Sequence, residues 1–154
     1  VNSIDPRTAL FRAVGGAGAI ALMIWLSKTS GVPLMWIPFA TSIVMVMGSP
    51  EAPPAQPLRI LGGHMVCAAA GVACTMLLGF DIWIAAIGIG VSIAIMHMLD
   101  VFHPPAGISP VIIVMSKASP LFILSPVLAG AILLILYALI FHRLTGNKWP
   151  ENWR

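Results

Sequence analysis

The residues of this chain that could do chemistry are few, and they sit in unusual places. His64 and His97 lie inside long apolar runs, and His103 stands immediately before a proline pair. An imidazole held in hydrocarbon is costly, so such a residue either bonds a carbonyl on a neighbouring helix or serves something hydrophilic. Neutral histidine donates one hydrogen bond; protonated, it adds a charge. His142 ends the last apolar run, where a cation suits a helix C-terminus, and is expected at the membrane interface.

Two proline-rich stretches interrupt the apolar pattern. One is Ser49-Pro50-Glu51-Ala52-Pro53-Pro54-Ala55-Gln56-Pro57, the other His103-Pro104-Pro105-Ala106-Gly107-Ile108-Ser109-Pro110. Proline removes an N–H and clashes with the preceding turn, so neither stretch is helical throughout. Irregular backbone at membrane depth is tolerated only where protein buries it or a watery cavity runs beside it. Freed amides and the N-termini of following helices can hold an anion. The candidate site is therefore His103, Pro104, Pro105 and Gly107 with the amides after Pro105. His64 and His97 would line the route, Gln56 closes the first break, and Arg59 would attract anions at one mouth. The alternative is a pair of interfacial loops in which the prolines act as rigid turns.

Other chemistries find little support. Cys67 and Cys74 lie two helical turns apart, roughly 10 Å, too far for a disulfide, and read as small apolar residues. The nine methionines read as lipid-facing filler, since no standard metal-ligand spacing occurs. Nucleotide-binding, zinc-protease and serine-hydrolase motifs are missing. A chain that is not an enzyme, with no metal and no cofactor, is expected. The basic residues cluster at the ends of apolar runs, which is topology chemistry and not a nucleic-acid surface.

The elements that must position these residues are transmembrane helices. Of 154 residues, 59% are hydrophobic and 8% charged, against about 25% charged in soluble domains. Such a chain needs a lipid bilayer as its solvent. Runs long enough to span predict an all-α polytopic bundle of about five helices in a single domain, 1–154. The spans centre on Ala13–Leu26, Gly31–Met47, Ile60–Leu78, Ile82–Leu99 and Leu121–Phe141. Val111–Met115 is too short to cross and could be a half-helix, a re-entrant piece or the first turn of the last span. The opening residues do not read as a secretory signal. Arg12-Ala13-Val14-Gly15-Gly16 is echoed by Arg59-Ile60-Leu61-Gly62-Gly63, and Pro53-Pro54 by Pro104-Pro105. This suggests parallel helical-hairpin repeats, 8–57 and 58–110, with a final helix at 118–142. A parallel repeat would place both proline breaks on one side of the membrane.

Five spans divide the basic residues evenly: Arg7, Arg12, Arg59 and Lys117 against Lys28, Arg143, Lys148 and Arg154. The first helix favours a cytoplasmic N-terminus. Small residues let membrane helices approach. His64 shares a helical face with Ala68, Gly71 and Thr75, and His97 shares one with Ala86, Gly90 and Ala94, so both histidines are expected to point inward. A thin bundle with such faces is expected to form a homo-oligomer.

The ordered set Ser49-to-Pro57, Gly62-Gly63-His64 and His103-Pro104-Pro105-Ala106-Gly107 resembles the HPP family of integral membrane proteins, over most of the chain. The resemblance implies a helical membrane protein, usually with four spans. For plant and cyanobacterial relatives it also implies nitrite transport. The leading expectation is thus a transporter or channel for a small inorganic anion, nitrite or an ion of like size. It would sit in a bacterial inner membrane, or alternatively an organelle envelope. The competing expectations are a structural or accessory membrane protein, and a membrane-embedded enzyme using the histidines.

Overall fold

A computed structural model of the chain describes residues 4–34 and 37–153. Six α-helices account for most of them: α1 (Pro6–Ser30), α2 (Ile37–Gly48), α3 (Pro57–Leu78), α4 (Ile82–Met98), α5 (Ser109–Ser116) and α6 (Ala129–Leu144). Among the described residues only α1, α3 and the stretch Pro120–Leu144 have the length and apolarity to span a bilayer by themselves. With 12 residues, α2 is about 18 Å long, short of a hydrocarbon core of about 30 Å.

Local chemistry sets the boundaries. Asp5 caps α1, accepting from the amides of Arg7 and Thr8, and Pro6 opens the helix. The Thr8 hydroxyl and amide hold the Asp5 carboxyl below its ordinary range. Gly31, at φ 72°, closes α1 in the left-handed region that glycine enters freely. Asp81 caps α4 through the Trp83 amide.

The breaks fold as short 3₁₀ turns, Pro53–Ala55 and Pro104–Ile108. Val111–Met115 belongs to a separate half-helix, α5, which ends where Lys117 turns left-handed at φ 50° and ψ 45°. The last span is not the clean helix expected from Leu121. A 3₁₀ turn covers Pro120–Ile123, and Ser125 leaves helical geometry at φ −139° and ψ 116°. Pro126 follows it, and a residue before proline is pushed toward extended backbone.

The core lies between α2, α3 and α6. Phe39, Ile43 and Val46 of α2 meet Ile60 of α3 and Leu134 and Ala138 of α6, with Ala19 and Met23 of α1 at the edge. A second cluster joins Ala68 and Val72 to Ile113 of α5 and Val127. Pro110, at the start of α5, is wedged between two helices that offer glycine. A Cβ on Gly71 would stand 3.0 Å from its Cα, and one on Gly88 3.0 Å from its Cβ.

Two expectations need correction. The inward face of α4 is Ile84, Ala85, Gly88, Ser92 and Met96, so Ala86, Gly90, Ala94 and His97 face outward. Both stripes have small residues at helical spacing, and α3 and α5 pack on the first. The charges are also not evenly split. The start of α1 lies beside the end of α6, with Asp5, Arg7 and Arg12 bordering the same cavity as Leu144 and Asn147. Arg7, Arg12, Arg59, Arg143 and Lys148 thus share the end that carries both proline breaks, and Lys28 and Lys117 lie at the other. Five crossings would have separated the two termini of the bundle; the half-helix α5 and the span that follows it return the chain to the starting side.

Candidate functional site

Prolines orphan carbonyls as well as removing amides, and side chains collect the orphans at the break end. In helical register Val46 O would receive the amide of residue 50, a proline; His142 Nε2–H donates to it instead, at 3.2 Å. Pro50 O faces Pro53 and Pro54 at the next helical positions, and Gln56 Nε2 fills the gap at 3.0 Å. Pro54 O finds Pro57 at its i+3 position, and the Leu58 amide at i+4 goes to Trp153 O; His103 Nδ1–H reaches Pro54 O at 2.6 Å. Each bond spares a buried polar group the penalty of going unpaired.

His103 therefore ties the two breaks together. It is fully buried, as are His64 and Ser42. Ser42 Oγ on α2 lies 2.9 Å from His64 Nε2 and 2.8 Å from His103 Nε2, and also 2.9 Å from Pro38 O. One hydroxyl thus bridges two imidazoles whose ring centres are 5.2 Å apart. Phe39 covers the other side of His64 at 4.8 Å. The Gly62-Gly63-His64 triplet now has a physical account. A Cβ on Gly62 would stand 2.6 Å from Val101 Cγ1, and one on Gly63 2.5 Å from His103 Cβ. The glycines let α3 press against the second break so that His64 and His103 meet over Ser42.

The remaining candidates lie elsewhere. Gln56 is buried but fully engaged, giving its amide hydrogens to Pro50 O and Ala52 O and accepting from the amides of Glu151 and Asn152. It staples the break to the C-terminal tail and has no polar atom left for a ligand. Arg59 pairs with Asp100 at 2.8 Å, which neutralises the charge expected to draw anions. His97 stacks on Phe102, 4.2 Å between ring centres, on the outside of the bundle. Its place on the outward stripe of α4 removes it from the route proposed for it. Pro104 and Pro105 line an open, largely apolar groove of about 700 Å³ against Thr41, Val44 and Gly48 of α2. Gly107 borders open space, with nothing within 4 Å of where a Cβ would stand. Of the amides after Pro105, that of Ala106 is taken by His103 O at 3.1 Å.

His64 also lines an enclosed cavity of about 10 Å³ with Phe39, Ser109, Phe122 and Pro126, enough for one water at most. Phe122 and Pro126 in turn border an open vestibule of about 280 Å³ at the opposite end, with Ser116, Ser119 and Ser125 around it. Phe122 and Pro126 thus stand between that vestibule and the cavity at His64. Among the described residues no group of three His, Cys, Asp or Glu side chains is placed to hold a metal ion.

Two participants carry no signal in the sequence, and a third, His142, has a partner that the sequence does not mark. Ser42 is a single hydroxyl in an apolar helix. Trp149, in the charged tail, is buried, donates from Nε1 to Ala55 O at 3.1 Å and packs on His142 at 5.5 Å. His142 itself is buried against the end of α2, where Pro50 leaves Val46 O open for it.

The family described as "HPP, transmembrane region" matches residues 1–150. Two curated transmembrane proteins of Dictyostelium discoideum are similar to this chain. One is 30% identical over 125 residues, covering 75% of this chain and 44% of the relative. The other is 34% identical over 124 residues, covering 75% and 40%. The chain thus spans less than half the length of these relatives. No solved structure matches it significantly. With its two proline breaks, its glycine pair and its His-Pro-Pro triplet in place along a helical membrane bundle, the chain belongs to the HPP family of integral membrane proteins.

Proposed function

We propose that this protein transports a small inorganic anion across the membrane, nitrite or an ion of like size, and that it is not an enzyme. The observation that carries the reading is the buried Ser42-bridged pair of His64 and His103, set where two short helices and two broken segments converge. Hydrocarbon penalises such groups, and discontinuous helices around a polar centre are a recurring way to build a transport site. The anion would reach the pair from the vestibule at Ser116, Ser119 and Ser125 once Phe122 and Pro126 part.

Under this reading the end carrying both breaks faces the cytoplasm, because basic residues gather there. The membrane is a bacterial inner membrane or an organelle envelope. Copies would associate through the small outward face of α4 at Ala86, Gly90 and Ala94.

One observation favours a second reading, an accessory membrane protein without transport: the cavity at His64 has room for one water at most. Reconstitution separates the two. Proteoliposomes containing the purified protein should take up nitrite faster than protein-free vesicles of the same lipid. Equal rates would remove the transport reading and leave the accessory one.

A further inference from the structure

The hydrogen bonds around Ser42 do not all close while both histidines are neutral. Pro54 O is acceptor-only, so His103 must carry a proton on Nδ1. A neutral His103 then has a bare Nε2, and Ser42 must donate its only hydrogen there, at 2.8 Å. His64 donates Nε2–H to Ser42 Oγ at 2.9 Å. The contact from Ser42 Oγ to Pro38 O, also 2.9 Å, is then left without a hydrogen.

Add one proton and every contact closes. His103 Nε2–H and His64 Nε2–H both donate to Ser42 Oγ, the hydroxyl hydrogen turns to Pro38 O, and His103 Nδ1–H stays on Pro54 O. No heavy atom has to move; only the hydroxyl rotates. The added proton resides on His103 Nε2, while His64 keeps its own proton on Nε2. One proton has entered, and the pair carries one positive charge.

The surroundings leave that charge without a fixed counter-ion. α2, α4 and α5 contain no Asp, Glu, Lys or Arg, and His97, the one titratable group in α4 besides them, faces outward. α3 offers His64, Arg59 and the thiols of Cys67 and Cys74, α6 offers His142 on Val46 O, and the first break offers the Pro54 carbonyl and Glu51. At this end Arg59 pairs with Asp100, and Arg12 with Glu51 and the Gly48 carbonyl. A buried cation without a partner is strongly disfavoured, so the proton binds best when an anion binds with it.

We propose that Ser42 is a two-position hydroxyl switch through which His64 and His103 load one proton together with one anion, making the protein a proton–anion symporter. This rests on the transport reading above. Two measurements on the full chain test it. In proteoliposomes, an inward proton gradient should accelerate nitrite uptake several-fold, with one proton entering per nitrite. Ser42→Ala should abolish the gradient-driven component, and Ser42→Thr, which keeps a hydroxyl, should retain it. Uptake that ignores the gradient in the unsubstituted protein overturns symport and leaves the transport reading standing; no uptake at all overturns both.

The second measurement does not need transport. Nitrogen NMR of histidine-labelled protein in bilayers, assigned with His103→Gln, should show neutral His103 as the Nδ1–H tautomer. Acidification should convert it to imidazolium. A neutral Nε2–H tautomer for His103, or a ring that never takes a second proton across the range in which the protein stays folded, would overturn the switch.

Discussion

The two proline breaks are built from similar residues and do different work. The first, around Pro53-Pro54, gives away carbonyls: Val46, Pro54 and Ala55 have their oxygens taken by side chains from elsewhere, and Pro50 has its oxygen taken by Gln56 of the break itself. The C-terminal tail then straps it down through Gln56, Trp149 and the Leu58 amide, which donates to Trp153 O. The second break, around Pro104-Pro105, has no such strap. It supplies His103 to the interior and turns its prolines to an open groove. One break is therefore a fixed acceptor, and the other carries the group that can change state. A pair of Pro-Pro turns thus becomes a site only because the carbonyls freed by one are read by an imidazole held in the other.

Substitutions can break this division of labour, and their costs should fall in order. His103→Ala leaves Pro54 O unpaired and a cavity beside Ser42, and should cost about 3 kcal/mol of stability, read as a lowered melting temperature in detergent. Gly63→Ala drives a methyl into His103 Cβ and should cost about 2 kcal/mol by overpacking. It should also disturb the His103 resonances while leaving those of His142 in place. Trp149→Phe keeps an aromatic ring but loses the indole N–H and its bond to Ala55 O; it should cost about 1 kcal/mol and speed proteolysis of the tail without altering His103. Asp100→Asn tests a half-exposed ion pair, and its effect should stay under about 1 kcal/mol and shrink further in salt.

Much of this contrast was legible in the sequence. Hydrophobic runs gave the helices, the proline clusters marked both breaks, and the face shared by His64, Ala68, Gly71 and Thr75 is buried as periodicity implied. What stayed hidden was long-range. Two small-residue stripes on α4 have nearly the same spacing, and only the packing of α3 and α5 selects the one that excludes His97. Ser42 has no neighbours in sequence that mark it, because its partners come from α3 and the second break. The engagement of Gln56 depends on a tail that returns from the far end of the chain. The sequence around Val111–Met115 fits a half-helix, a re-entrant piece or the start of the last span equally well, and which of these forms decides which end receives Arg143 and Lys148.

The central claim is that the buried pair and not the outward histidine is the transport site. Nitrite uptake by reconstituted His103→Gln and His97→Gln proteins, each confirmed monodisperse, tests it most directly. The account predicts that His103→Gln abolishes uptake above protein-free vesicles and that His97→Gln transports at the unsubstituted rate. Uptake that survives in the first protein, or vanishes in the second alone, would contradict it.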